Sequence, residues 1–202
     1  MNATHLSQSD ILEMFSGIVA KSLRIDASLV VAEAYLDDLG AESLDLIEIS
    51  MEAETQFNIW LPEKSILDTA NEVYGADVLE RDGYLTDAGK QLMLRRMPES
   101  DAAAFSGEVT VKELRRYFIK VGTWVRLIQS LTESTPTVCA QCGGTLQPGS
   151  ALRMKCVQCG AEINMRSGEE VNRQWVQEYH QRAHAQTSHE LAKCRELSAV
   201  KQ

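Results

Sequence analysis

Two cysteine pairs set the tightest limit on what this chain of 202 residues can fold into. Cys139 and Cys142 make one C-x-x-C, Cys156 and Cys159 make a second, and thirteen residues lie between the pairs. Each pair is followed at once by glycine, Gly143 and Gly160. A C-x-x-C across a tight turn aims two thiolates at one point, and two such turns supply a tetrahedral S₄ shell. Glycine relieves the backbone where its amides turn toward sulfur. No fifth ligand-type residue lies among the four, so a closed structural zinc site on Cys139, Cys142, Cys156 and Cys159 is expected. The other reading, a redox dithiol, normally involves one pair beside a βαβ pattern, which is absent here. Cys194 reads as a surface thiol or a packing residue, and five cysteines are too few for a secreted disulfide scaffold.

The segment 137–166 resembles a zinc ribbon, two knuckles on short hairpins, with Leu152 and Met154 as strand candidates. Its basic residues Arg153, Lys155 and Arg166 form a thin patch without interleaved aromatics, which makes nucleic acid an unlikely partner. Charge is concentrated elsewhere. Residues 1–63 carry twelve Asp/Glu against two Lys/Arg, whereas residues 64–202 carry seventeen against eighteen, so the net charge of −9 belongs to the first third. Such a field repels nucleic acid and anionic membrane and steers basic protein surfaces toward it. No apolar run approaches the roughly 20 residues of a membrane span, and no signal pattern opens the chain, so a cytoplasmic protein is expected.

Periodicity predicts a mainly helical chain. Ser7 or Ser9 caps a first helix with Ile11, Phe15, Ile18 and Leu12, Val19, Leu23 at helical spacing. A loop over about 25–42 precedes a second helix over about 43–57. There Leu46, Ile49, Ala53 and Phe57 line one face, and Leu44, Ile47 and Met51 another. Asp82-Gly83 signals a turn, and Thr86 caps a helix that Pro98 stops. Thr110 and Glu113 form a capping box before an amphipathic helix spaced by Val111, Leu114, Phe118, Val121, Val125 and Ile128. Residues 132–136 (TESTP) read as a linker. Ser167 and Glu170 box the start of a last helix on which Val171, Trp175, Tyr179 and Ala183 recur. His180 and His184 on that helix have metal-ligand spacing but no third ligand in sequence, so an exposed polar face is the reading. Trp124 and Trp175 read as packing residues.

Ser43 stands at the head of the acidic helix, just after a Gly-containing loop. There its hydroxyl either caps the helix or carries a phosphate ester favoured by the positive end of the helix dipole. The surrounding sequence, Asp38-Leu-Gly-Ala-Glu42-Ser43-Leu44-Asp45, resembles the acyl carrier protein family, whose D-S-L motif appears here as Glu42-Ser43-Leu44. The likeness runs on through Met51, Phe57, Ile59 and Leu61-Pro62 and resumes at Thr110-Val111-Lys112-Glu113-Leu114, which looks like the start of the family's last helix. Two departures stand out: Glu42 replaces the usual Asp, and residues 63–109 separate two parts that the family joins by a short helix.

The resemblance implies that Ser43 carries 4′-phosphopantetheine, whose thiol holds acyl or aminoacyl groups as thioesters. It implies no catalysis by this chain. Its partners are then a phosphopantetheinyl transferase, an acyl-loading ligase or acyltransferase, and downstream enzymes of a specialised biosynthetic pathway. Asp38, Glu42, Leu44, Asp45, Ile47, Glu48 and Met51 form the expected partner surface. The expected organisation is an acyl-carrier-like helical bundle over 1–131 with an insertion at about 65–109, a small β zinc ribbon over 137–166, and a C-terminal helix over 167–200. The alternative is a zinc-ribbon adaptor in which the acidic domain is an unmodified interaction module. A faint winged-helix likeness over 83–92 is too short to set against the acidic charge.

Overall fold

A computed structural model describes residues 6–149 and 153–199, with side chains as far as 183. It is mainly helical with two small sheets, as periodicity predicts. Helix α1 (Gln8–Leu23) is closed at its start by Ser7, whose Oγ accepts from the Asp10 N–H at 3.2 Å while the Asp10 carboxylate accepts from the Ser7 N–H at 2.9 Å. It buries Ile11, Phe15, Ile18 and Val19. Helix α2 (Ser43–Phe57) contributes Ile49, Ala53 and Phe57 to the same core. Between them the loop sends in Val30 and Leu36, and buried Ser16 donates its hydroxyl to the Val30 carbonyl at 2.9 Å. Apolar side chains with essentially no exposure, among them Ile11, Phe15, Val19, Leu36 and Ile49, hold this core by exclusion from water.

The helix expected to run unbroken from 111 through 128 is two helices, α5 (Val111–Phe118) and α6 (Val121–Ser134). The break has a backbone cause. The loop before α2 needs partners for its own N–H and C=O groups and takes them here. Leu36 donates to the Ile119 carbonyl at 3.0 Å, and Val121 and Gly122 donate to Ala34 and Ala32 at 2.9 Å each. Tyr35 and Lys120 thereby pair as an antiparallel bridge. The two halves then serve different cores. Val121, Val125, Ile128 and Leu131 of α6 close the first core over α1 and α2, whereas Leu114 of α5 turns into a second. The segment beginning at Thr110 is therefore capped as predicted but does not close the first core.

The second core is built largely by residues 66–109. Helix α3 (Ile66–Tyr74) supplies Ile66, Leu67 and Ala70. A hairpin of β1 (Glu80–Arg81) and β2 (Tyr84–Leu85) turns at Asp82-Gly83 and leads to α4 (Asp87–Arg96), which Thr86 caps. Leu79, Leu85, Leu92, Met93 and Met97 complete it with Phe105, from a short 3₁₀ turn (Ala102–Phe105). The ribbon segment forms the sheet β3–β4–β5: Leu146–Pro148, Arg153–Cys156 and Glu162–Asn164, all antiparallel. Met154 is on its central strand as expected, and Leu152 lies outside the described residues.

Helix α7 (Gly168–Ala199) joins these parts, adding Val171 to the first core and Val176 to the second. Its first residue has to be glycine, because a Cβ there would stand 2.3 Å from the Pro62 nitrogen. Beside it the Glu169 carboxylate accepts the Glu63 N–H. The ribbon is tied to the far end of α2, where the Asn58 side-chain amide donates to the Met165 sulfur at 3.2 Å.

Candidate functional site

At the start of α2 the capping position is Glu42, whose N–H is accepted by the Asp45 carboxylate at 2.8 Å. Ser43 is thus the first helical residue and not the cap. It is exposed, and its hydroxyl makes no hydrogen bond among the described residues. At that position an attached phosphate ester meets the positive end of the helix, so the geometry fits such a group. One face of α2 is buried in the first core. Along the other, Leu44, Ile47 and Met51 are 79%, 57% and 63% exposed. Apolar side chains so exposed in a row mark a surface suited to another molecule. Glu42 and Glu48 are exposed beside them, and Asp45 is half-buried by its role at the helix start.

Asp38 stands in a setting that reading the motif alone misses. Both of its carboxylate oxygens accept from Arg116 of α5, at 2.7 and 2.8 Å, and Asp37 lies 4.0 Å from the same guanidinium. The guanidinium also covers the Tyr35 ring at 4.7 Å. Hydrogen bonding to Asp38, then its charge, holds the Arg116 pKa above its ordinary value, while burial and then Tyr117 raise that of the Tyr35 phenol. Part of the acidic surface is neutralised from within the chain. No signal near Asp38 announces this, since Arg116 is 78 residues away.

The four paired cysteines converge, with all sulfurs within 4.8 Å of one another. Cys139 and Cys159 are 3.8 Å apart, and Cys142 and Cys156 are 3.5 Å apart. A tetrahedral zinc with bonds of about 2.3 Å has sulfur–sulfur edges of about 3.8 Å, so the set fits that ion. Gly143 and Gly160 take φ of +73° and +72°, a backbone region costly to other residues, as the knuckle turns require. The Cys159 N–H draws the Cys156 thiol down to about 6. Cys142 receives the Gly144 N–H, yet the adjoining thiols of Cys156 and Cys159 push it up to about 12. That crowding is the condition a dication relieves. Among the described residues these four form the one group of three or more side chains able to hold a metal.

The remaining candidates fall to packing. His180 stands edge-on to Tyr74 with centroids 4.4 Å apart, and the His184 and Cys194 side chains lie outside the described residues. Trp124 stacks on Phe15 at 5.3 Å, and Trp175 on Tyr179 at 5.5 Å. Arg153 of the ribbon pairs with Glu162 at 3.0 Å, which thins the basic patch further. No helix among the described residues is long and apolar enough to cross a membrane.

Comparison with known proteins identifies the family of the stretch that contains Ser43. The family model for the phosphopantetheine attachment site matches residues 15–75. Acyl carrier protein of Thermosynechococcus vestitus is 42% identical over 60 residues, which are 29% of this chain and 74% of that protein. The chain belongs to the acyl carrier protein family. Acyl carrier proteins of Zymomonas mobilis and Helicobacter pylori are 42% and 40% identical over 59 and 55 residues, covering 76% and 70% of their lengths. No solved structure matches the chain. Acyl carrier proteins are carriers and not catalysts. The family match extends past Pro62 to include α3, farther than the motif alone suggests.

Proposed function

We propose that Ser43 is the attachment point of 4′-phosphopantetheine and that the chain carries acyl or aminoacyl thioesters for a specialised biosynthetic pathway. The observation that carries this reading is the Ser43 hydroxyl itself: exposed, unbonded, and at the head of a helix whose outer face presents Leu44, Ile47 and Met51. A phosphopantetheinyl transferase forms the new phosphate ester on Ser43 Oγ as the hydroxyl gives up its proton, breaking the pyrophosphate P–O bond of coenzyme A and releasing adenosine 3′,5′-bisphosphate. The attached arm supplies a thiol for thioester exchange. The chain's own part is to present that serine, steer partners by the charge of Glu42, Asp45 and Glu48, and release them quickly. A tethered cargo reaches successive enzymes at high effective concentration without a tight interface.

The specialised pathway is supported by what the relatives lack. The matched stretch is 74% of the Thermosynechococcus protein but 29% of this chain, and the rest is a second core, a ribbon and α7. In this reading Cys139, Cys142, Cys156 and Cys159 hold zinc, and the ribbon docks a partner from its place beside the end of α2.

Intact mass after incubation with coenzyme A and a broad-specificity transferase tests the proposal. One added arm on the wild type and none on Ser43→Ala is the expected result. No added mass on folded, zinc-replete protein rejects it in favour of an adaptor whose acidic domain is never modified.

A further inference from the structure

Between α2 and α6 on one side and the second core with α7 on the other lies a cavity of about 270 Å³. That is just under the roughly 300–1,000 Å³ of ordinary small-molecule sites. Leu61, Ile66, Met97, Phe118 and Leu127 make it largely apolar; its charged lining is one carboxylate, Glu63, and three cations: Lys64, Arg96 and Arg126. Two of these are matched inside the protein. Lys64 pairs with Glu72 at 2.5 Å and Arg126 with Glu99 at 2.6 Å, the other Glu99 oxygen accepting from Thr123 at 3.0 Å.

Arg96 has no such partner. Its guanidinium donates to the neutral Asn172 Oδ1 at 3.0 Å and lies 5.4 Å from the centre of the Trp175 ring. No carboxylate among the described residues is in ion-pair reach of it. Burial pulls the Arg96 pKa below its ordinary range, and the charge of Glu99, already paired with Arg126, only partly opposes it. The wall therefore offers a positive charge that no carboxylate of the described residues pairs with directly.

Ser50 also lines the cavity, seven residues after Ser43 on α2. Positions i and i+7 share one helix face, about 10 Å apart along the axis. The face bearing Ser43 thus leads to the cavity mouth, a distance a pantetheine arm with its two amide units spans.

We propose that the cavity receives the cargo borne on Ser43 and selects a short acyl group ending in a carboxylate, with Arg96 as the residue that meets it. This rests on Ser43 being the attachment serine. The volume limits the chain length. An aminoacyl group would bring a second cation to Arg96, and a plain alkyl chain would leave Arg96 unmatched.

The test uses the full chain loaded from the coenzyme A thioesters of adipic and hexanoic acid, two cargoes of equal length. Intact mass is read first, and absence of any loading overturns both this inference and the attachment reading. With loading established, hydroxylamine cleavage of each thioester is measured relative to its free coenzyme A counterpart. Adipoyl is expected to be protected roughly tenfold more than hexanoyl, the worth of a hydrogen-bonded charge pair. Arg96→Gln should abolish the difference, and Arg96→Lys should keep part of it. Equal protection of the two cargoes in the wild type overturns the inference on its own, whether or not the variants fold.

Discussion

Ser43 keeps its hydroxyl unbonded because Glu42 and Asp45 already close the start of α2 between them. The neighbouring charges are not equivalent, and that distinction is testable. Asp38 is held by Arg116, whereas Glu42 and Glu48 are exposed and form no ion pair among the described residues. Reversing Asp45 and Glu48 to Lys should slow modification by a transferase roughly tenfold at low salt, with the effect shrinking as salt screens it. Arg116→Gln, which releases Asp38, should speed the same reaction. Unchanged rates at low salt for both variants would remove the acidic surface from partner steering. Packing separates residues just as sharply. Phe15 has no exposure, so Phe15→Ala should cost about 3–5 kcal/mol in a denaturant melt. Ile47 is 57% exposed, and Ile47→Ala should stay within about 0.5 kcal/mol.

At the scale of elements, local signals are legible in the sequence and long-range partnerships are not. Asp82-Gly83, the Thr110–Glu113 box and the two faces of α2 each declare themselves within a few residues, through turn chemistry, capping and period. The apolar spacing from Val111 to Ile128 is equally regular, yet the chain breaks after Phe118 because residues 32–36 claim its backbone. Periodicity reports which face is apolar and says nothing of which core it enters. Ser43 and the cysteines were legible for the same local reason, whereas Arg96 and Arg116 matter only through residues that the fold brings to them. The tie between α3 and α7 makes a further prediction. Hydrogen bonding from Lys64, then from Arg173, lowers the Glu72 pKa below its ordinary 4.5. A lowered carboxylate stabilises fully above its unfolded value and loses that contribution as pH falls through the folded one. Hydrogen exchange along the first turns of α7 should therefore rise selectively below about pH 4.5, and Glu72→Gln should show the faster exchange already at neutral pH. Pressing the wild type to that pH without change would detach the ion pairs from the docking of α7.

For the whole molecule, the ribbon is the part most open to separate manipulation, since its own small core of Cys139, Leu146, Met154, Cys156 and Met165 rests on the four-sulfur cluster. A strong chelator should release one zinc per chain and loosen residues 137–166, while transferase modification of Ser43 continues. Transfer of cargo to a downstream partner should then fall if the ribbon docks that partner; full transfer by chelated protein would reduce the ribbon to a staple.

The order in which the chain is made adds a different constraint. The stretch that matches the family ends at residue 75, but the first core is closed by α6, at 121–134, and by Val171 of α7. During synthesis α1 and α2 meet as they emerge, but the face of α1 that α6 covers waits until the residues of the second core have left the ribosome, and such waiting is where nascent chains aggregate. The dense negative charge of the first third serves that interval too, keeping an unfinished bundle apart from its neighbours until the last helix arrives.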